Sequence, residues 1–151
     1  MILQELFDPA TTFPLEWEND GGKETFATAY DADGRTISIS FIPVSDNAIE
    51  ITFTRGGSYD LTGRGDAARV MSTVINAISV YLQKYKPPYV VFSAKSAGGR
   101  ASAYTAMIRR IAHGYKLLNP VDYPERLGGF IEFLGSDKPF VLARQWKHMN
   151  L

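Results

Sequence analysis

Between Asp60 and Tyr85 the sequence passes from a glycine-rich tetrapeptide, Thr62-Gly63-Arg64-Gly65, straight into the most strongly periodic segment of the chain. Ala67, Val70, Met71, Val74, Ile78, Tyr81, Leu82 and Tyr85 recur at spacings of three and four, which places them on one face of a helix. Arg69, Ser72, Asn76, Gln83 and Lys84 fall largely on the other face. Lys86-Pro87-Pro88 stops the pattern, because proline has no N–H to give to the helix and clashes with the preceding turn. A helix that begins after Gly-x-Gly presents unpaired backbone N–H groups to whatever lies above it. The turn therefore reads either as a phosphate-binding loop or as an ordinary strand-to-helix turn capped by Thr62 or Asp66.

Before this helix, from Thr25 to Thr54, the period changes to two. Phe26, Thr28 and Tyr30 alternate with Ala27 and Ala29; Ile37, Ile39 and Phe41 alternate with Ser38 and Ser40. Ile49, Ile51 and Phe53 alternate with Glu50, Thr52 and Thr54. With Asp31-Ala32-Asp33-Gly34 as a hairpin turn and residues 43–47 as the next, this predicts an antiparallel three-strand meander with one apolar and one small-polar face. Tyr89-Val90-Val91-Phe92-Ser93-Ala94 is an apolar run of the kind found in a strand covered on both faces.

A second glycine-bearing turn, residues 95–99, leads into a second amphipathic helix. Its inner face is Tyr104, Met107, Ile108, Ile111 and Ala112, its outer face Arg100, Thr105, Arg109 and Arg110, and Gly114 is its C′ residue. A short strand is expected over 115–120 and a closing hairpin over 130–134 and 139–144. Residues 1–24 are the least regular part, with apolar anchors at Phe7, Phe13, Leu15 and Trp17 and a short edge strand expected at 13–17. The whole predicts an α+β domain with a mixed sheet over residues 25–151, preceded by an irregular N-terminal segment, residues 1–24.

Composition narrows the function classes. The chain has 151 residues, 45% hydrophobic and 21% charged, enough for one domain with a real core. Sixteen basic residues balance 16 acidic ones, so no bulk positive field draws it to nucleic acid or an anionic membrane. Arg100, Arg109 and Arg110, with Lys95 and Lys116, are the nearest approach to a basic face, and read either as a phosphate or acidic-partner surface or as the solvated side of a helix. The absence of cysteine removes disulfides, thiolate catalysis and cysteine-based zinc sites. Two distant histidines, His113 and His148, offer no metal spacing. No signal peptide or membrane-spanning run is read, so a cytoplasmic protein is expected.

The order of meander, glycine-led helix, buried strand, second helix and closing hairpin resembles the GNAT-type acyltransferase superfamily over about residues 25–145, and within it small bacteriophage proteins assigned to that fold. Two stretches carry the likeness. Leu61-Thr62-Gly63-Arg64-Gly65-Asp66-Ala67 is similar to the pyrophosphate loop that meets acyl-coenzyme A. Val90-Val91-Phe92-Ser93-Ala94, followed by the helix with Tyr104 and its His113-Gly114-Tyr115 ending, is similar to the strand and tyrosine-bearing helix of the superfamily.

The resemblance implies an acyl-CoA-dependent N-acyltransferase with a small-molecule or protein amine as acceptor. It places Thr62, Gly63, Arg64, Gly65, Asp66 and Ala67 on the pyrophosphate, Tyr104 as the acid that protonates the leaving thiolate, and Glu50 as the base. Each residue also has a structural reading: Tyr104 as core, Glu50 as a solvated residue on the polar face of the sheet. The corresponding alternative is a catalytically silent module of the same fold that binds a host or virion protein.

Overall fold

Strict alternation in the meander decides which side of each strand meets the helix. The computed structural model describes residues 12–20, 24–56, 67–92, 114–118, 120–122 and 140–145. Strands β2 (Glu24–Tyr30), β3 (Thr36–Ser45) and β4 (Ala48–Arg55) pair antiparallel, with Ala27 opposite Ile39 and Ile39 opposite Phe53. Ala27, Ala29, Ile37, Ile39, Phe41, Ile51 and Phe53 are buried on one face. Thr28, Ser38, Ser40, Thr52 and Thr54 are half-buried on the other. The turn between β2 and β3 closes as its residues require: Gly34 adopts φ +80°, and Asp31 N–H donates to the Arg35 carbonyl at 2.9 Å.

The first strand, β1 (Glu16–Asp20), extends the meander at its outer edge, with Trp17 opposite Ala27 and Asn19 opposite Thr25. It lies three residues beyond the start of the expected edge strand. Phe13 is drawn off to the helix instead: its N–H donates to Thr73 Oγ1 at 2.8 Å, and the Arg69 guanidinium lies 4.0 Å above its ring. Arg69 Nη2 also donates to the Thr12 carbonyl at 3.2 Å. The segment read as irregular thus carries both an edge strand and an anchor on the helix.

That helix, α1 (Ala67–Tyr85), covers the buried face with Val70, Val74, Ala77, Ile78, Tyr81 and Leu82. Two positions depart from the pattern. Ser72, placed outside by periodicity, is buried, as are Thr73, Ile75 and Ser79, so the helix is covered along a flank as well as on the sheet side. Tyr85, placed inside, is 47% exposed, at the helix end. Lys86 then turns the chain with φ +49° before Pro87.

The helix is the crossover that a parallel pair requires. Strand β5 (Tyr89–Phe92) runs parallel to β4, pairing Ile49 with Val90 and Ile51 with Phe92. Strand β7 (Phe140–Arg144) lies antiparallel to β5, and the short β6 (Tyr115–Leu117) pairs antiparallel with β7 at the far edge. The sheet order is β1-β2-β3-β4-β5-β7-β6. As its apolar run requires, β5 is buried on both faces: Val90 and Phe92 join the core under α1, and Val91 packs with Ala48 and Val141 on the other side. Tyr115 ties the far edge to the end of α1 by donating to the Pro87 carbonyl at 2.5 Å. The described residues therefore form an α+β protein with a mixed seven-stranded sheet and one α-helix. The second helix, with Tyr104, and the expected strand at 130–134 lie outside them.

Candidate functional site at the parallel strand pair

Strand β4 places Glu50 on the small-polar face by the alternation that buries Ile51 and packs the partly buried Ile49 on the helix side. Its cross-strand neighbours are Ile42 on β3 and Val91 on β5, so an acid stands between two aliphatic side chains. It is half-buried, and desolvation there raises its carboxyl above the ordinary value of 4.5. Among the described residues the carboxylate forms no ion pair and accepts no hydrogen bond. A desolvated carboxyl without a partner keeps its proton to higher pH than a solvated one.

Among the described residues β4 pairs with β5 from Ala48–Tyr89 to Ile51–Phe92, and β4 itself continues to Arg55. Glu50 lies within this stretch, one residue before its last described pair, Ile51–Phe92. Thr52 follows it on the same face, with Ser40 opposite Thr52. These short hydroxyl side chains supply hydrogen-bonding groups on the face of the sheet that carries Glu50.

Of the other residues picked from the sequence, Ala67 begins α1. Thr62, Gly63, Arg64, Gly65, Asp66 and Tyr104 lie outside the described residues, as do Arg100, Arg109 and Arg110. Lys116 lies on β6 at the far edge of the sheet and is exposed. Among the described residues no three His, Asp or Glu side chains gather as metal ligands, and no helix is long and apolar enough to cross a membrane.

One pair was missed by the sequence reading. Arg55 Nε donates to Asp31 Oδ2 at 2.7 Å, and the two side chains are only 2% and 0% exposed. Asp31 Oδ1 also accepts the N–H groups of Asp33 at 2.9 Å and Arg35 at 2.8 Å. Burial pushes the Asp31 carboxyl up, but the Arg35 N–H, the Arg55 guanidinium and the Asp33 N–H outweigh it, and the pKa lies below 3.8. A signal was there to read: Arg55 continues the inward-facing series Ile49, Ile51, Phe53, where a charge demands a partner.

No family model matches the chain, and no curated protein or solved structure matches it.

Proposed function

We propose that the protein is an acyl-CoA-dependent N-acyltransferase of the GNAT type, with Glu50 as its base. The observation that carries this reading is the half-buried, unpaired Glu50 on the strand that enters the parallel pair, with the crossover helix α1 starting after that same strand. The strand order, with one parallel pair among antiparallel neighbours, supports the same reading.

In this assignment Thr62, Gly63, Arg64, Gly65, Asp66 and Ala67 hold the pyrophosphate, using backbone N–H groups at the positive end of α1. Glu50 accepts a proton from the acceptor amine, directly or through one water, as nitrogen attacks the thioester carbonyl and the carbon–sulfur bond breaks. Tyr104 donates the proton taken up by the departing thiolate. The acceptor is an amine of a small molecule or a protein.

Isothermal titration with acetyl-CoA tests the proposal, with Gly65→Glu and Glu50→Gln as variants. Micromolar binding that Gly65→Glu abolishes and Glu50→Gln preserves is expected, because the first change puts a carboxylate at the pyrophosphate and the second leaves the binding loop intact. Absence of heat at millimolar acetyl-CoA, from protein with a cooperative unfolding transition, would overturn it.

A second reading, a silent module of the same fold that acts by binding a host or virion protein, draws on one feature. Trp17 and Tyr85 expose large aromatic surfaces on neighbouring elements, β1 and α1.

A further inference from the structure

A groove of about 370 Å³ runs between the outer edge of the sheet and the C-terminal half of α1. Trp17, Asn19 and Thr25 line it from the strands, and Tyr81, Lys84 and Tyr85 from the helix. Its volume is in the range of sites that take small ligands or short peptide segments, roughly 300–1,000 Å³. Glu18 also borders it, but strand alternation turns that side chain to the face opposite Trp17 and Asn19.

The wall is an aromatic series fixed by stacking. Tyr81 lies 4.0 Å from Phe41 at 9°, Tyr85 lies 4.6 Å from Tyr81, and Trp17 lies 5.9 Å from Phe41 at 23°. Trp17 and Tyr85 are 40% and 47% exposed, whereas Tyr81 is 6% exposed. A tyrosine buried to that degree ordinarily finds a partner for its hydroxyl. Among the described residues the Tyr81 hydroxyl has none, and neither the Trp17 indole N–H nor the Tyr85 hydroxyl makes a hydrogen bond. Burial and the neighbouring Tyr85 push the Tyr81 phenol up, so it stays a protonated donor. The Lys84 ammonium lies 5.2 Å from the Tyr85 ring centroid and pairs with no carboxylate among the described residues. The groove thus offers flat apolar faces together with donors that lack acceptors.

We propose that this groove binds a proline-rich peptide in the polyproline II conformation. Such a chain matches the wall group by group. Proline rings are compact apolar bodies that pack on the faces of Trp17 and Tyr85, and X-Pro amides carry carbonyl acceptors with no N–H to be left unpaired. Those carbonyls receive the Trp17 indole N–H and the Tyr81 hydroxyl. Lys84 meets an acidic residue at the end of the peptide. The conformation exists before binding, so little ordering entropy opposes it. The site is independent of acyl transfer: it lies on the α1 side at the outer edge, whereas Glu50 faces the other side of the sheet.

Fluorescence anisotropy with a fluorescein-labelled oligoproline of about ten residues ending in aspartate, against a Gly-Ser peptide of equal length and the same end, tests the proposal. Saturable binding of the oligoproline alone is expected. Tyr81→Phe keeps the ring stack and the fold and should weaken binding roughly five- to tenfold, as loss of one hydrogen bond does. Trp17→Ala should weaken it by tenfold or more, as loss of an aromatic anchor does. Lys84→Glu should weaken the aspartate-ended peptide and leave an amidated all-proline peptide unchanged. No saturable binding at millimolar peptide by protein of native circular dichroism would overturn the proposal. So would equal binding of the Gly-Ser peptide, wild-type affinity in both Tyr81→Phe and Trp17→Ala, or binding of a naphthoate in place of the oligoproline.

Discussion

Two acids on the same sheet, Asp31 and Glu50, have opposite fates. Asp31 is sealed at the end of the β2–β3 hairpin, and every lone-pair direction that the structure accounts for is met by a donor, from Arg35, Asp33 or Arg55. Glu50 is only half-buried, yet no donor among the described residues reaches it. The better-shielded acid therefore has the lower pKa, and the half-exposed one has a raised pKa. Burial alone does not set the charge state of a carboxyl; the donors that accompany it do. An acid whose charge is satisfied in this way helps to hold a fold together, and Glu50 has no such donors among the described residues.

The strongest way to break this contrast is to remove the donor. Arg55→Met should destabilise the protein by about 3 kcal/mol, because it leaves a buried carboxylate without its cation. Denaturant melts would show it, and the double variant Arg55→Met with Asp31→Asn should recover part of the loss. Unchanged stability in Arg55→Met would mean that the hairpin N–H groups alone satisfy Asp31.

Acid titration of stability separates the two residues next. Because the folded pKa of Asp31 is depressed, its contribution is present above the ordinary value of 3.8 and is lost as pH falls below it through the folded value. Glu50 has the opposite sign. Its folded pKa is raised, so its contribution is fully present below the ordinary value of 4.5 and is lost as pH rises through the folded value. Asp31→Asn should flatten the acid limb of a stability-versus-pH curve, and Glu50→Gln should remove a loss of stability at higher pH.

The smallest effect sharpens the comparison most. At neutral pH Glu50→Gln should leave stability unchanged or raise it by less than about 1 kcal/mol, since water screens a half-exposed group. If the proposed chemistry is right, the same change should abolish acyl transfer while acetyl-CoA binding persists. A clear loss of stability in Glu50→Gln would place this acid with Asp31 as a structural residue.

Much of the frame was legible because it depends on local periodicity. Ile37, Ile39 and Phe41 alternate with small polar residues, so their burial under the helix follows from the pleat. The limits of α1 follow from its three-and-four spacing and from Pro87-Pro88. The need for a turn with positive φ at Gly34 was equally plain. Glu50 was legible as an acid within the alternation of the third meander strand, but its desolvation was not, since its neighbours Ile42 and Val91 come from other strands.

By itself the sequence determined the alternating sides of the meander strands and the span of α1, because both are set by neighbours within a few residues. Only the tertiary structure decided what those sides meet. It drew Phe13 onto Thr73 and Arg69, moved the edge strand to Glu16–Asp20, and buried Ser72 where periodicity had left it outside. It also joined Asp31 to Arg55 across 24 residues of chain and gathered Trp17 from β1 with Tyr81 and Tyr85 from α1 around one groove. Contacts between residues far apart in sequence leave no local period, and pairing, desolvation and concavity are properties of such contacts.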